Sequence, residues 1–345
     1  MNKSSIVRER IFPPRSWEDL DNHFIKAIHN PWYTSLMIIQ DEITYLTWEF
    51  FRNKGIRSVS LPVTTGSVTS PMGLGSDSLP VKVNLEGVET YLSDSMQFHL
   101  EYALRNHHKG VHYIMPSFRG EEADQRHLCQ FYHSEAEIVG GLEDVIQLVN
   151  EYIDYLCKGL LKNIPDIIYQ TAGTLKHVEA FILKDTRYPQ ITMEDAVMQL
   201  KNNPKYIKSH KEGFRTLTDE GEKELIKLNG GIVWVTHHDY MSVPFYQAAT
   251  LDYKYALNGD LLFGIGEVVG CGERNVTKEQ VRKSMKLLKV DEKNYKWYLS
   301  MKELTPLQTS GFGMGIERFI LWLTNHDDIR DCQLIPRFNG KLINP

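Results

Sequence analysis

FRGEEADQRHLCQFYHSEAE, residues 118–137, crowds two arginines, two histidines and five acidic side chains into twenty positions of a 345-residue chain. Residues 111–118 before it and 128–139 within and beyond it are rich in β-branched and aromatic side chains. They read as two strands around a polar turn. Side chains two apart on a strand share a face. Arg119 and Glu121 can therefore point into one pocket, and Phe131, His133, Glu135 and Glu137 can do so from the return strand. Arg119, Arg126 and His127 suit a polyphosphate, because a guanidinium binds phosphate oxygens bidentately. An aromatic ring beside them can stack on a base. Taken alone, the same residues also describe a solvated hairpin laced with ion pairs.

Two later stretches add to the cluster. GDLLFGIGEVVGCGER, residues 259–274, puts Asp260 and Glu267 at either end of a short apolar strand pair, with strands expected within 261–270. Two carboxylates near a triphosphate would hold Mg²⁺, which takes one or two carboxylates plus phosphate oxygens. An acid at each end of a plain hairpin is the other reading. Arg274 follows a glycine-rich turn. GFGMGIERF, residues 311–319, reads as a glycine-rich turn running into an apolar helix. Glycines let a backbone approach a ligand closely, and Arg318 opens the helix where an anion is welcome. The G-x-x-x-x-G-K-[ST] phosphate loop is absent.

The rest of the chain supplies a scaffold. Residues 1–30 are polar and read as an arm with a short helix. Leu36, Ile39, Ile43, Leu46 and Phe50 form one helical stripe, with Gly55 as its stop. SVSLPV, 58–63, reads as a strand. Residues 64–78, rich in Gly, Ser and Thr, suit a mobile loop over a site better than a core, with a plain solvated connector as the alternative. Ile146, Val149, Ile153, Leu156 and Leu160 mark a second amphipathic helix. Residues 184–230 read as short helices carrying no chemistry, and 231–237 as a strand. Strands separated by irregular segments favour an α+β fold, a mostly antiparallel sheet with helices packed on it.

Composition narrows the function. With 42% hydrophobic and 24% charged residues the chain can bury a large core, and its net charge of −5 lacks the basic excess of a protein that mainly grips nucleic acid. Cys129, Cys157, Cys271 and Cys332 make no C-x-x-C pair, which speaks against zinc and for a reducing, cytoplasmic setting. No signal peptide or membrane span is read.

In this order, the clusters resemble motifs two and three of the class II aminoacyl-tRNA synthetases, of the aspartate, asparagine and lysine subclass, with the asparaginyl enzymes most similar. The FR-x-E, RHL-x-x-F and E-x-E signature stands as Phe118-Arg119-Gly120-Glu121, Arg126-His127-Leu128 with Phe131, and Glu135-Ala136-Glu137. G-F-G-x-G-x-E-R stands intact at 311–318, and YLSDSMQFHLE (91–101), YPQITMEDAV (188–197) and WYLSMKE (297–303) are similar too.

The resemblance implies an antiparallel sheet flanked by helices and a catalytic domain over residues 31–345. It implies formation of an aminoacyl-adenylate from ATP with Mg²⁺. Arg119 would bridge the α-phosphate and the amino-acid carboxylate, and Arg119 and Arg318 would be the catalytic groups. Glu121 would meet the adenine amino group, and Phe131 would stack on the ring. Arg126, His127 and Arg318 would hold the outer phosphates. Asp260 and Glu267 would bind the metal. Ser95 and Gln97 would line the amino-acid site, and Arg274 would meet the substrate side chain with Glu135 opposite. Pro62 resembles the motif-one proline of a homodimer interface.

Three departures bear on the substrate. Only residues 1–30 precede the catalytic segment, where the aspartyl and asparaginyl enzymes carry an anticodon-binding barrel. Leu100 stands where the aspartyl enzymes select aspartate with lysine. Lys302 to Thr309 replaces the R-x-Y-G-x-x-P-H segment. These features resemble the archaeal-type asparagine synthetases, so the expectation is transfer of an activated aspartate-like acid to ammonia or a small amine. Transfer to tRNA or a carrier protein is the alternative, and a non-catalytic regulatory paralogue is a third.

Overall fold

The computed structural model describes residues 9–70, 74, 78–107, 109–182 and 187–343. Its strands are β1 (Arg57–Ser58), β2 (Thr64–Thr65), β3 (Val81–Leu85), β4 (Val88–Leu92), β5 (Val111–Phe118), β6 (Gln130–Val139), β7 (Gln190–Thr192), β8 (Ile207–Ser209), β9 (Arg215–Leu217), β10 (Ile232–Thr236), β11 (Asn258–Phe263), β12 (Gly266–Glu273) and β13 (Thr309–Gly315). Eight of them form one sheet in the order β1-β5-β6-β13-β12-β11-β10-β7. Every internal pairing is antiparallel, and only the outermost pairs β1–β5 and β10–β7 are parallel. The expected α+β class holds, with helices laid on a mostly antiparallel sheet.

One face of the sheet is closed by the helices Pro31–Asn53, Leu142–Asn163 and Ile316–Leu323. The first begins where Asn30 caps it, accepting a hydrogen bond from the Trp32 N–H at 2.9 Å, with Pro31 in the first turn where no donor is needed. It ends just before Gly55, whose φ of 73° an L side chain adopts poorly. Its stripe Leu36, Ile39, Ile43, Leu46 and Phe50 is wholly buried, each side chain contributing about 2 kcal/mol of transfer free energy. Thr47 and Tyr152 join the first two helices by a 2.7 Å hydrogen bond. A second apolar cluster, around Phe98, Phe245 and Tyr298, seats the helices Lys278–Leu287 and Lys296–Leu304. Among the described residues, no helix is long and apolar enough to cross a membrane, and all four cysteines are free and buried.

Three expectations change. The strand read at 58–63 is only two residues long, pairing Arg57 with Val111 and Ser58 with His112; Pro62 has no N–H to extend a ladder. The SGFGMG segment is not a turn but β13, paired on both sides in the middle of the sheet. In the segment read as a mobile loop, Thr65, Ser67, Val68 and Thr69 are buried. Thr69 donates from its N–H and hydroxyl to the two Asp94 oxygens at 3.0 and 2.7 Å. Pro71, Met72, Gly73, Gly75, Ser76 and Asp77, the centre of that reading, lie outside the described residues.

His112 on β5 stacks on Phe51 with ring centroids 4.4 Å apart, and its Nδ1 is buried without a partner among the described residues. Burial lowers its pKa to about 4. The unfolded chain takes up this proton near pH 6.5. Its contribution to stability is therefore complete above that value and is lost as the pH falls to about 4, a difference of roughly 3 kcal/mol. His112→Phe should flatten the acid limb of a melting-temperature profile between pH 4 and 6.5. An unchanged limb would contradict this account.

Candidate active site

The open face of β6, β13, β12 and β11 carries two adjoining cavities of about 380 and 530 Å³. Their floor is nearly free of side chains. Along β13, Phe312 and Met314 point into the core while Gly311, Gly313 and Gly315 line the cavities. A Cβ on Gly311 would lie 1.9 Å from Glu137 Oε2 and 2.5 Å from the Ala136 carbonyl oxygen. A Cβ on Gly270 of β12 would lie 2.7 Å from Glu267 Oε1. Charged side chains of neighbouring strands thus lie across the space the glycines leave.

The smaller cavity is lined by Arg119, Glu121, Arg126, His127, Phe131, Glu267 and Arg318, among others. Arg119 and Glu121 follow the end of β5 rather than lying within it. The Arg119 guanidinium carbon is 5.4 Å from the Phe131 ring centre. Arg119 Nε and Glu121 Oε2 are buried and have no hydrogen-bond partner among the described residues. The other Glu121 oxygen accepts from the Leu79 N–H at 3.0 Å. A forked cation, an acceptor and an aromatic ring thus converge on one volume, the donor set a purine nucleotide calls for. His127 is exposed at the rim, 3.0 Å from Asp124.

The larger cavity is lined by Ser95, Gln97, Arg119, Glu135, Glu137, Asp260, Glu267 and Arg274. Ser95 donates to Glu135 Oε2 at 2.7 Å and Tyr113 donates to the same oxygen at 2.5 Å. Gln97 Nε2 is buried without a partner among the described residues. Arg119 borders both cavities, and among the described residues it alone of the guanidinium groups faces the two together.

Arg274 shares the larger cavity with Glu135, expected opposite it, and does not form its ion pair there. It pairs with Glu137, Nε to Oε1 at 3.1 Å and a terminal nitrogen to Oε2 at 3.0 Å, both side chains buried. β6 places the two glutamates on one face two residues apart, and only the register, with Glu137 opposite Gly311 and Glu135 opposite Gly313, decides between them. Nor is the segment 184–230 without a part in the site. Asp219 and Glu222, on the helix Asp219–Leu228, both pair with Arg126, Glu222 at 3.0 Å. Burial raises the Glu222 pKa, while Arg126 and Arg318 oppose the shift. Glu222 came from a stretch with no motif, and its partner lies 96 residues away; the acidic first turn of an amphipathic helix was the one available signal.

Asp260 on β11 and Glu267 on β12 both face the larger cavity. Burial and then the adjacent Asp260 push the Glu267 carboxyl up to about 7. Arg318 donates to the Glu267 carbonyl at 2.5 Å. Among the described residues, no three His, Cys, Asp or Glu side chains group to hold a metal unaided. Two like-charged carboxylates beside a phosphate-type pocket do fit Mg²⁺, which completes its shell with phosphate oxygens and water.

Comparison with known proteins converges on the same fold. The family described as tRNA synthetases class II (D, K and N) matches residues 17–339. An asparagine–tRNA ligase of Malacoplasma penetrans is 28% identical over 324 residues, covering 90% of this chain and 71% of that protein. The asparaginyl-tRNA synthetase of Pyrococcus horikoshii complexed with asparaginyl-adenylate superposes with a TM-score of 0.84 at 23% identity, covering 94% of this chain and 73% of that one. The Entamoeba histolytica asparaginyl-tRNA synthetase, also in complex with asparaginyl-adenylate, gives 0.81 at 19% identity, over 100% of this chain and 73% of that one. With its glycine-floored sheet and a family match over nearly its whole length, the chain belongs to the class II tRNA synthetases of the D, K and N group, a family of ATP-dependent ligases.

Proposed function

We propose that this chain activates asparagine, or a close carboxamide analogue, as its adenylate and passes the acyl group to tRNA. The observation that carries the first half is Arg119, set between the two cavities with Nε buried and unpartnered among the described residues. A carboxylate in the larger cavity and an α-phosphate in the smaller one would both reach it. The carboxylate oxygen attacks the α-phosphorus in line, the bond to the bridging oxygen breaks, and pyrophosphate leaves. Arg119 stabilises the charge that builds on the phosphoryl oxygens. Glu121 and Phe131 hold the adenine, while Arg126, His127 and Arg318 hold the outer phosphates. Asp260 and Glu267 would hold Mg²⁺, which neutralises phosphate charge when bound. Positioning does the work, and no side-chain nucleophile is required.

Ser95, Gln97 and Glu135 surround the place for the α-amino group. A neutral side chain is favoured because the Arg274 charge is already met by Glu137, and because Leu100, not a lysine, lines the cavity. For the acceptor, the relatives reported above are named as tRNA ligases. In this reading tRNA therefore replaces the ammonia or small amine expected from the sequence.

Pyrophosphate exchange across the amino acids, followed by acylation of total tRNA, tests both halves. Exchange with asparagine well above aspartate, and charging of tRNA, are the expected results. No exchange with any amino acid would overturn the activation. Release of AMP and an amide from aspartate and ammonium, without charging, would overturn the choice of substrate and acceptor.

A further inference from the structure

We propose that Lys302 and Glu101 are positioning residues that hold Arg274 in register for the amino-acid side chain; this rests on the adenylation reading above. Both side chains are fully buried and their charged atoms are 2.5 Å apart. Glu101 comes from a helix that borders the larger cavity, and Lys302 from one that lies behind it and reaches the residue next to Arg274. Glu101 is on the helix Gln97–Leu104, whose first residue lines that cavity. Lys302 is on the helix Lys296–Leu304, where the altered stretch 302–309 begins.

Hydrogen bonds and the covalent frames of Asn275 and Gln247 together connect the pair to Arg274. Lys302 Nζ donates to the Asn275 carbonyl oxygen at 2.6 Å, and Asn275 is the residue next to Arg274. The Asn275 side-chain amide donates to the carbonyl oxygens of Phe245 and Gln247 at 2.9 and 3.0 Å. Gln247 in turn accepts from an Arg274 terminal nitrogen at 3.3 Å. Tyr298 fixes the other end, donating to Glu101 Oε1 at 2.7 Å.

Charge ties the same groups together. Glu101 acts on both Glu137 and Arg274, and Glu137 acts on Lys302. Lys302, Glu101, Arg274 and Glu137 therefore form one buried charged cluster at the wall of the cavity. Burying an ion pair costs several kcal/mol per ion, and apolar groups of similar volume often serve stability as well. Stability alone thus gives weak reason for charges here. Fixing a guanidinium that must meet a substrate gives a stronger one, since a misplacement of about 1 Å can cost on the order of 100-fold in rate.

The double substitution Glu101→Gln with Lys302→Met removes both charges and leaves an oxygen for Tyr298. The expected protein melts close to the unsubstituted one. Its KM for asparagine in pyrophosphate exchange rises roughly 100-fold, while its KM for ATP stays within about threefold. The Arg274 Nε–H resonance, assigned by its loss in Arg274→Lys, should move and exchange faster with solvent. An unchanged asparagine KM with an unmoved resonance would overturn the proposal. Should the unsubstituted protein exchange with no amino acid, the adenylation reading fails, and the resonance by itself decides the positioning. Should the double variant not fold, Glu101→Asp, which retracts the carboxylate by one methylene, decides. A smaller shift of the resonance and of the asparagine KM is expected, and no shift in either overturns the proposal.

Discussion

Arg119→Ala should lower pyrophosphate exchange by at least about a thousandfold, the range expected when a single arginine stabilising a phosphoryl-transfer transition state is removed. The side chain lies between the two cavities, so its loss affects both substrates at the atom where they react. It should cost little stability, because its side-chain neighbour of note is the Phe131 ring at 5.4 Å. Arg119→Lys should recover only part of the rate, since an ammonium cannot offer two parallel donors to two ligands. Exchange within tenfold of the unsubstituted protein in Arg119→Ala would remove Arg119 from the reaction.

Glu137→Gln should reverse the choice between aspartate and asparagine. The substitution keeps the shape and removes the charge that meets Arg274. Arg274 is then a buried cation without its counter-ion, and an aspartate side chain can supply one. The aspartate-to-asparagine ratio of kcat/KM should rise by about 100-fold, the equivalent of roughly 3 kcal/mol. Breaking a buried pair by altering one partner also costs about 3–5 kcal/mol of fold stability, which a urea titration would show. Added aspartate should restore more of that loss than added asparagine. A ratio that does not move would mean that Arg274 does not read the substrate side chain.

Local patterns made most of the scaffold legible. The helix stripe from Leu36 to Phe50, the strands β5 and β6, and β10 each declared themselves through their own periodicity or composition. β13 did not, because glycine at every second position reads as a turn even though Phe312 and Met314 alternate with it, and its regular pairing comes from β6 and β12 on either side. The site shows the same division. Arg119, Glu121 and Phe131 come together because they flank one hairpin. Glu222 and Arg126 come together only after the helix Asp219–Leu228 packs at the far side of β12, which no local signal encodes. That Glu137 rather than Glu135 ion-pairs with Arg274 depends on the strand register, a two-residue step along one face of β6 that side-chain alternation leaves open.

A floor made of glycine also limits how such a site can change. Gly311 and Gly313 present no side chain that could be exchanged for another, and any Cβ at Gly311 would collide with Glu137. New substrate preferences must therefore arise on the walls, from Ser95, Gln97, Leu100, Glu137 and Arg274, while the floor stays the same. A saturation library of the whole chain should show the two behaviours side by side, Gly311, Gly270 and Gly272 tolerating nothing and a surrounding ring where replacements redirect activity instead of erasing it.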